Sequence, residues 1–231
     1  MFFSMDYLIY MIPAFIIMGL TSWYVKSSYN KWSRVQSLSR LTGAQAAQRL
    51  ISISGIQGLQ VQGTPGNLSD HYDPRNKTLY LSEGVANVAS VASVAIAAHE
   101  LGHAVQDAEG YFPMKIRSAL VPAVSIGSNL GPILIIIGVV IQFTQLAWLG
   151  VFIFAGGALF ALATLPVELN ASVRAKELLQ QAGIIQTDEE RRGMNTVLNA
   201  AALTYVAGLI TAVLNLLYYV SLVSGSGRRR D

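Results

Sequence analysis

Ala97-Ala98-His99-Glu100-Leu101-Gly102-His103-Ala104-Val105-Gln106 is the stretch around which the chain is organised. It contains His-Glu-x-x-His, and residues four apart lie one turn apart on the same face of a helix. Two neutral imidazoles at that spacing converge on a divalent ion such as zinc, and a carboxylate beside them accepts a proton from water held there. The flanks support the helix, since residues 87–106 hold no proline and no glycine but Gly102, in a background of alanine and valine. Gly102 lies between the two ligand positions, where a missing side chain admits another backbone. An apolar run over 85–98 leads straight into this cluster of ionisable groups, the pattern of a functional site rather than of a solvated helix.

Working outward, composition places this motif in a membrane protein. The chain has 231 residues, 52% of them hydrophobic and 13% charged, with a mean hydropathy of +0.45. The charged share is about half the roughly 25% of soluble proteins. So few charges cannot cover a soluble surface, and the lipid bilayer is the implied partner. The absence of cysteine excludes disulfides and a thiolate-type structural zinc site. The net charge is +3, but the basic residues sit in short segments beside apolar runs. That pattern belongs to membrane-flanking anchors, not to a nucleic-acid surface.

The fold expected is a mostly α integral membrane protein of about four transmembrane helices, with a small α+β zincin-like catalytic part. Residues 1–25 form an N-terminal anchor, uncharged over 7–25, with Pro13 expected to kink it and Trp23 and Tyr24 suited to the interface. It lacks the basic start and small-residue cleavage site of a signal peptide, so it is expected to be retained. Residues 118–165 form a transmembrane hairpin from the runs 119–143 and 146–165, which only Thr144 and Gln145 separate; its two ends therefore return to one side of the bilayer. Residues 197–231 form a last apolar helix with a basic tail, Arg228-Arg229-Arg230. Lysine and arginine concentrate in 26–117 and 168–192, which predicts a cytoplasmic catalytic site.

Within the catalytic part, 26–117, Thr42 is the expected N-cap of a helix that Gly55 ends, with Ala46, Ala47, Leu50 and Ile51 on its packing face. Residues 58–82 alternate between the turn signals Thr64-Pro65-Gly66-Asn67 and Asp73-Pro74-Arg75-Asn76-Lys77, predicting an antiparallel sheet of two or three short strands. Thr78, Leu79, Tyr80 and Leu81 are expected on an exposed edge that holds a polypeptide substrate by strand addition. His71, ahead of the second turn, is a candidate metal ligand or substrate contact.

A catalytic zinc takes three protein ligands and keeps a fourth position for water. The third is expected in 166–196, where Pro166 opens a polar helical stretch and Glu168 stands at its start, on the His99 side of the membrane. Glu177 and residues 188–190 lie on stretches interleaved with lysine and arginine, and Asp107 and Glu109 are too near the motif to fold back. Asn170, Ser172 and Arg174 are candidates to orient the ligands by hydrogen bonds. Thr187-Asp188-Glu189-Glu190 reads as a capping box. Tyr205, a polar group in an apolar run, is a candidate donor to a developing oxyanion.

Four segments, His71-Tyr-Asp-Pro-Arg-Asn-Lys, Ala98-His-Glu-Leu-Gly-His-Ala-Val-Gln, Leu165-Pro-Val-Glu-Leu-Asn-Ala-Ser and Ala201-Ala-Leu-Thr-Tyr-Val, together resemble the neutral zinc metallopeptidases of bacterial membranes, the YugP-like family, distantly similar to HtpX-type peptidases. The resemblance implies a gluzincin-type membrane protease with one zinc ion on His99, His103 and Glu168, and Glu100 as general base. Where the family pattern has Asp, this chain has Asn170, which makes the surroundings of the ligands less anionic. The contrasting reading is a non-proteolytic membrane adaptor or scaffold whose metal is structural. An oligomer or a regulatory membrane partner is compatible with either.

Overall fold

The computed structural model of the protein describes residues 5–227; the basic tail Arg228–Arg230 lies outside them. Its elements in order are α1 (Met5–Trp32), α2 (Gly43–Ser54), β1 (Gln60–Thr64), β2 (His71–Asp73), β3 (Thr78–Ser82), α3 (Glu83–Ala86), α4 (Val91–Ala108), α5 (Phe112–Val140), α6 (Thr144–Gln181) and α7 (Asp188–Gly227). Among the described residues α1, α5, α6 and α7 are long and apolar enough to cross a membrane. The 40-residue α7 is about 60 Å long at 1.5 Å per residue, about twice a hydrocarbon core of roughly 30 Å.

Contacts divide the chain into two units, one of residues up to 21, 115–165 and 204 onward, the other of 22–114 and 166–203. In the first, α5 and α6 pack closely against one another. Small residues set the spacing of these two helices: a side chain at Gly150 would meet the carbonyl of Gly131 at 2.7 Å, the kind of close approach by which membrane helices associate. Ile135, Ala147, Val151 and Val223 form the buried core there.

The second unit packs around α4. Fourteen of its residues, from Val91 to Gln106, are buried; a helix apolar on every side has to lie inside. It starts at Val91 rather than four residues earlier because Ser90 caps it, the Ser90 hydroxyl accepting from the Ser93 N–H at 3.1 Å. Leu50, Leu79, Leu81, Leu101, Leu179, Ile184, Met194 and Leu198 fill the core around it. Thr42 caps α2 as expected, and does so through a capping box with Gln45, with Gly55 as the left-handed C-cap.

Two expectations are corrected. The sheet has three strands but is mixed, in the order β1-β3-β2. β2 pairs antiparallel with β3, His71 facing Tyr80, whereas β1 runs parallel to β3 with Gln60 facing Thr78. The tight turn at 74–77 makes β2 and β3 the hairpin, and β1 is left to add on the far side. β3 is therefore the middle strand, and its main chain is already paired on both sides. The second correction concerns Pro166, which opens no new helix. It sits inside α6, a single helix of 38 residues. Glu168 is thus mid-helix, where no helix N-terminus favours its charge.

Candidate metal centre

His99 and His103 project from one face of α4, and Glu168 from α6. Gly102 permits the approach of these two helices, since a Cβ there would meet the Ala171 carbonyl oxygen at 2.5 Å, a separation no side chain tolerates. The missing side chain between the histidines thus lets the helix that carries Glu168 come up against them.

His99 Nε2 and His103 Nε2 each lie 3.3 Å from Glu168 Oε2. The two rings stand edge to face, 83° apart with centroids 4.9 Å apart. The three ligand atoms all fall within 4.8 Å of one another. His99 is 8% exposed, His103 7%, Glu168 1% and the neighbouring Glu100 9%, so the cluster is shielded yet not sealed.

Its electrostatics favour a positive charge at the centre. Burial pushes the His103 imidazole down, but the Glu168 carboxylate, the Glu100 charge and the Gln106 side chain outweigh it and hold its pKa above the ordinary value. Burial pushes the Glu168 carboxyl up, and the two imidazoles outweigh it, holding it well below the usual carboxylate range.

A sequence model of the family described as "putative neutral zinc metallopeptidase" matches residues 7–224. The chain belongs to this family. It is 40% identical over 206 residues to a Bacillus subtilis (strain 168) protein named "Putative membrane protease YugP", a match covering 88% of this chain and 91% of that relative. No solved structure matches the chain.

The zinc that the family name implies fits the residues present. Two imidazole nitrogens and a carboxylate oxygen within reach of one ion are a donor set typical of zinc, with a coordination position left over. Each imidazole has a further polar contact behind it. Ser172 Oγ lies 3.2 Å from His99 Nδ1, and Gln106 Oε1 lies 3.1 Å from His103 Nδ1. Were each Nε2 to bind a metal ion, Nδ1 would carry the proton and both oxygens would accept it.

Gln106 is the residue the sequence reading missed. It is fully buried, and its amide donates to the Val167 carbonyl at 2.8 Å and to Asn170 Oδ1 at 2.9 Å. It therefore ties His103 to the turn of α6 that carries Glu168. Its spacing was the available signal, since a residue three positions after the second histidine shares that histidine's face. Asn170 touches Gln106 rather than a histidine, and its Oδ1 also accepts from Arg174 Nε at 2.7 Å. Arg174 in turn pairs with Glu109 at 2.6 Å. An amide at position 170 satisfies both donors without adding a charge.

The remaining candidates lie elsewhere. His71 is exposed and stacks on Tyr80 with ring centroids 4.9 Å apart, outside the His99–His103–Glu168 group. Thr78, Leu79 and Leu81 are buried in the middle strand, which leaves their backbone unable to add a substrate strand. Tyr205 is half-buried on α7, in the first of the two units. Asp107 accepts from the Tyr72 hydroxyl at 2.7 Å, a structural use consistent with its exclusion as a ligand. Glu190, expected in a solvated run, is instead 3% exposed.

Proposed function

We propose that this protein is a membrane-embedded zinc endopeptidase of gluzincin type that hydrolyses peptide bonds of membrane or membrane-proximal polypeptides, on the cytoplasmic side of a bacterial inner membrane. The observation that carries the reading is the convergence of three ligand atoms within 4.8 Å beside the carboxylate of Glu100. His99, His103 and Glu168 would hold the ion. Zinc bound there supplies a Lewis acid that polarises a carbonyl and lowers the pKa of water toward about 7.

Glu100 takes the proton from the attacking water and passes it to the amine nitrogen of the leaving segment. Ser172 and Gln106 hold the imidazoles in one tautomer and orientation, so the ligand geometry exists before substrate arrives. With β3 paired on both sides, the free sheet edges among the described strands belong to β1 and β2. A polypeptide extending the sheet would have to add there, and β2 carries His71.

The test is metal analysis of the purified protein together with cleavage of an unfolded test protein. Glu100→Gln is expected to retain zinc and to lose cleavage by at least two orders of magnitude, the range assigned to a general base. Wild-type cleavage by this variant, or cleavage indifferent to chelator, would contradict the proposal.

A further inference from the structure

A second site lies within the 22–114 and 166–203 unit. A cleft of about 580 Å³ opens between the end of α1 and the start of α7, lined by Tyr24, Lys31, Trp32, Glu189, Arg192 and Asn199 among others. Trp32 is 7% exposed and lies flat on Gly193, whose missing side chain makes room for the indole. Its buried indole N–H has no hydrogen-bond partner among the described residues. Lys31 Nζ stands 5.1 Å from the centre of that ring. Among the described residues neither Lys31 nor Arg192 has a carboxylate partner. A third cation, Lys176, reaches the rim by donating to Asn199 Oδ1 at 3.4 Å.

Two cations without counter-ions, amide donors and two aromatics in a concave polar cleft match a phosphate group. Position along the helices says which phosphate. On α1 the uncharged run ends at Val25, and Lys31 lies about 9 Å further on. On α7 the apolar run begins at Val197, and Arg192 lies about 8 Å before it. Both positions therefore fall at the outer edge of the headgroup layer, about 5–8 Å thick on each side of the hydrocarbon, from which long cationic side chains reach back toward the phosphates. Tryptophan and tyrosine are the residues favoured there. We propose that this cleft binds the phosphate of an anionic phospholipid headgroup, held between Lys31 and Arg192. Glu189 opposes the ligand and limits its affinity.

The experiment is native mass spectrometry of the full chain in detergent, titrated with phosphatidylglycerol or phosphatidylcholine. Phosphatidylglycerol is expected to be retained in preference, and K31Q/R192Q to retain it roughly thirtyfold less, at about a fivefold loss for each cation removed. K31R/R192K should keep it. E189Q removes the opposing charge on an exposed side chain, so it should tighten retention, and it serves as the test if the double variant does not fold. Equal retention of the two lipids, or unchanged retention in K31Q/R192Q, overturns the proposal, as does weaker retention in E189Q. Calorimetry with inorganic phosphate separates the sources: saturable binding lost in K31Q/R192Q, with no preference between lipids, would make the free anion the occupant and overturn the lipid assignment.

Discussion

Gln106 shows how much of a metal centre lies behind its ligands. Its carbonyl oxygen faces His103 Nδ1, and its amide group spans to Val167 and Asn170 on the opposite helix. Every polar atom of a fully buried side chain is thereby used, so the amide has one orientation only. Replacing it with leucine keeps the volume but leaves the imidazole N–H without an acceptor and the Val167 carbonyl without this donor. Such losses cost about 1–3 kcal/mol each in a buried setting. Gln106→Leu is expected to fold and to bind zinc about 10–100-fold more weakly, measured by competition with a chromophoric chelator. Unaltered affinity would mean that His103 needs no help from α4's next turn. The sequence displayed this residue plainly, three positions after His103, but a glutamine carries no motif of its own. Its role depends on Val167 and Asn170, about sixty residues away, and no local spacing reveals that.

The elements were legible where local chemistry decides them. Thr42 with Gln45, and Thr187 with Glu190, form their capping boxes because all four groups lie within one turn. The strands were legible too, but not their partners: alternation marks a half-buried strand, whereas order and direction depend on which connection closes first. The middle position of β3 and the parallel β1 escaped for that reason. Pro166 misled because a proline removes one backbone hydrogen bond, which an otherwise well-supported helix tolerates. Glu190 misled because its neighbours are charged. One of its oxygens accepts from the Leu38 N–H at 2.9 Å and the Ser37 hydroxyl at 3.2 Å, and the other from the Gln186 and Thr187 N–H groups at 2.9 and 3.2 Å. It thus pins the segment after α1 to the start of α7. Burial pushes its carboxyl up, and these donors outweigh burial and hold it below the ordinary value. A carboxyl group with a lower pKa folded than unfolded stabilises the fold above the unfolded value, about 4.3, and loses that contribution as pH falls through the folded value. Glu190→Gln should therefore melt several degrees lower than wild type at pH 7, with the gap narrowing as pH falls from about 5 toward 3. A gap that does not change with pH would contradict this account of the contact.

At the scale of the whole molecule, the chain is read as a membrane protein in which a hairpin of two spans separates the histidine pair from its carboxylate in sequence while the fold reunites them. The spans were legible from uncharged length alone, because the bilayer sets the length. The reunion was legible because a short hairpin returns the chain to the side it left. Orientation rests on the lysine and arginine distribution, and the absence of cysteine makes it simple to check with single introduced thiols. In intact cells, a cysteine replacing Gln142 at the hairpin tip is expected to react with an impermeant reagent, and one replacing Arg75 in the β2–β3 turn only after permeabilisation. The reverse pattern would put the centre on the outer face. The central claim, however, is that one ion is held jointly by α4 and α6. Zinc content per purified chain tests it most directly. The account predicts one zinc per chain in wild type and in Glu100→Gln, and near zero in Glu168→Ala. A full equivalent of zinc retained by Glu168→Ala at the same affinity as wild type would contradict it.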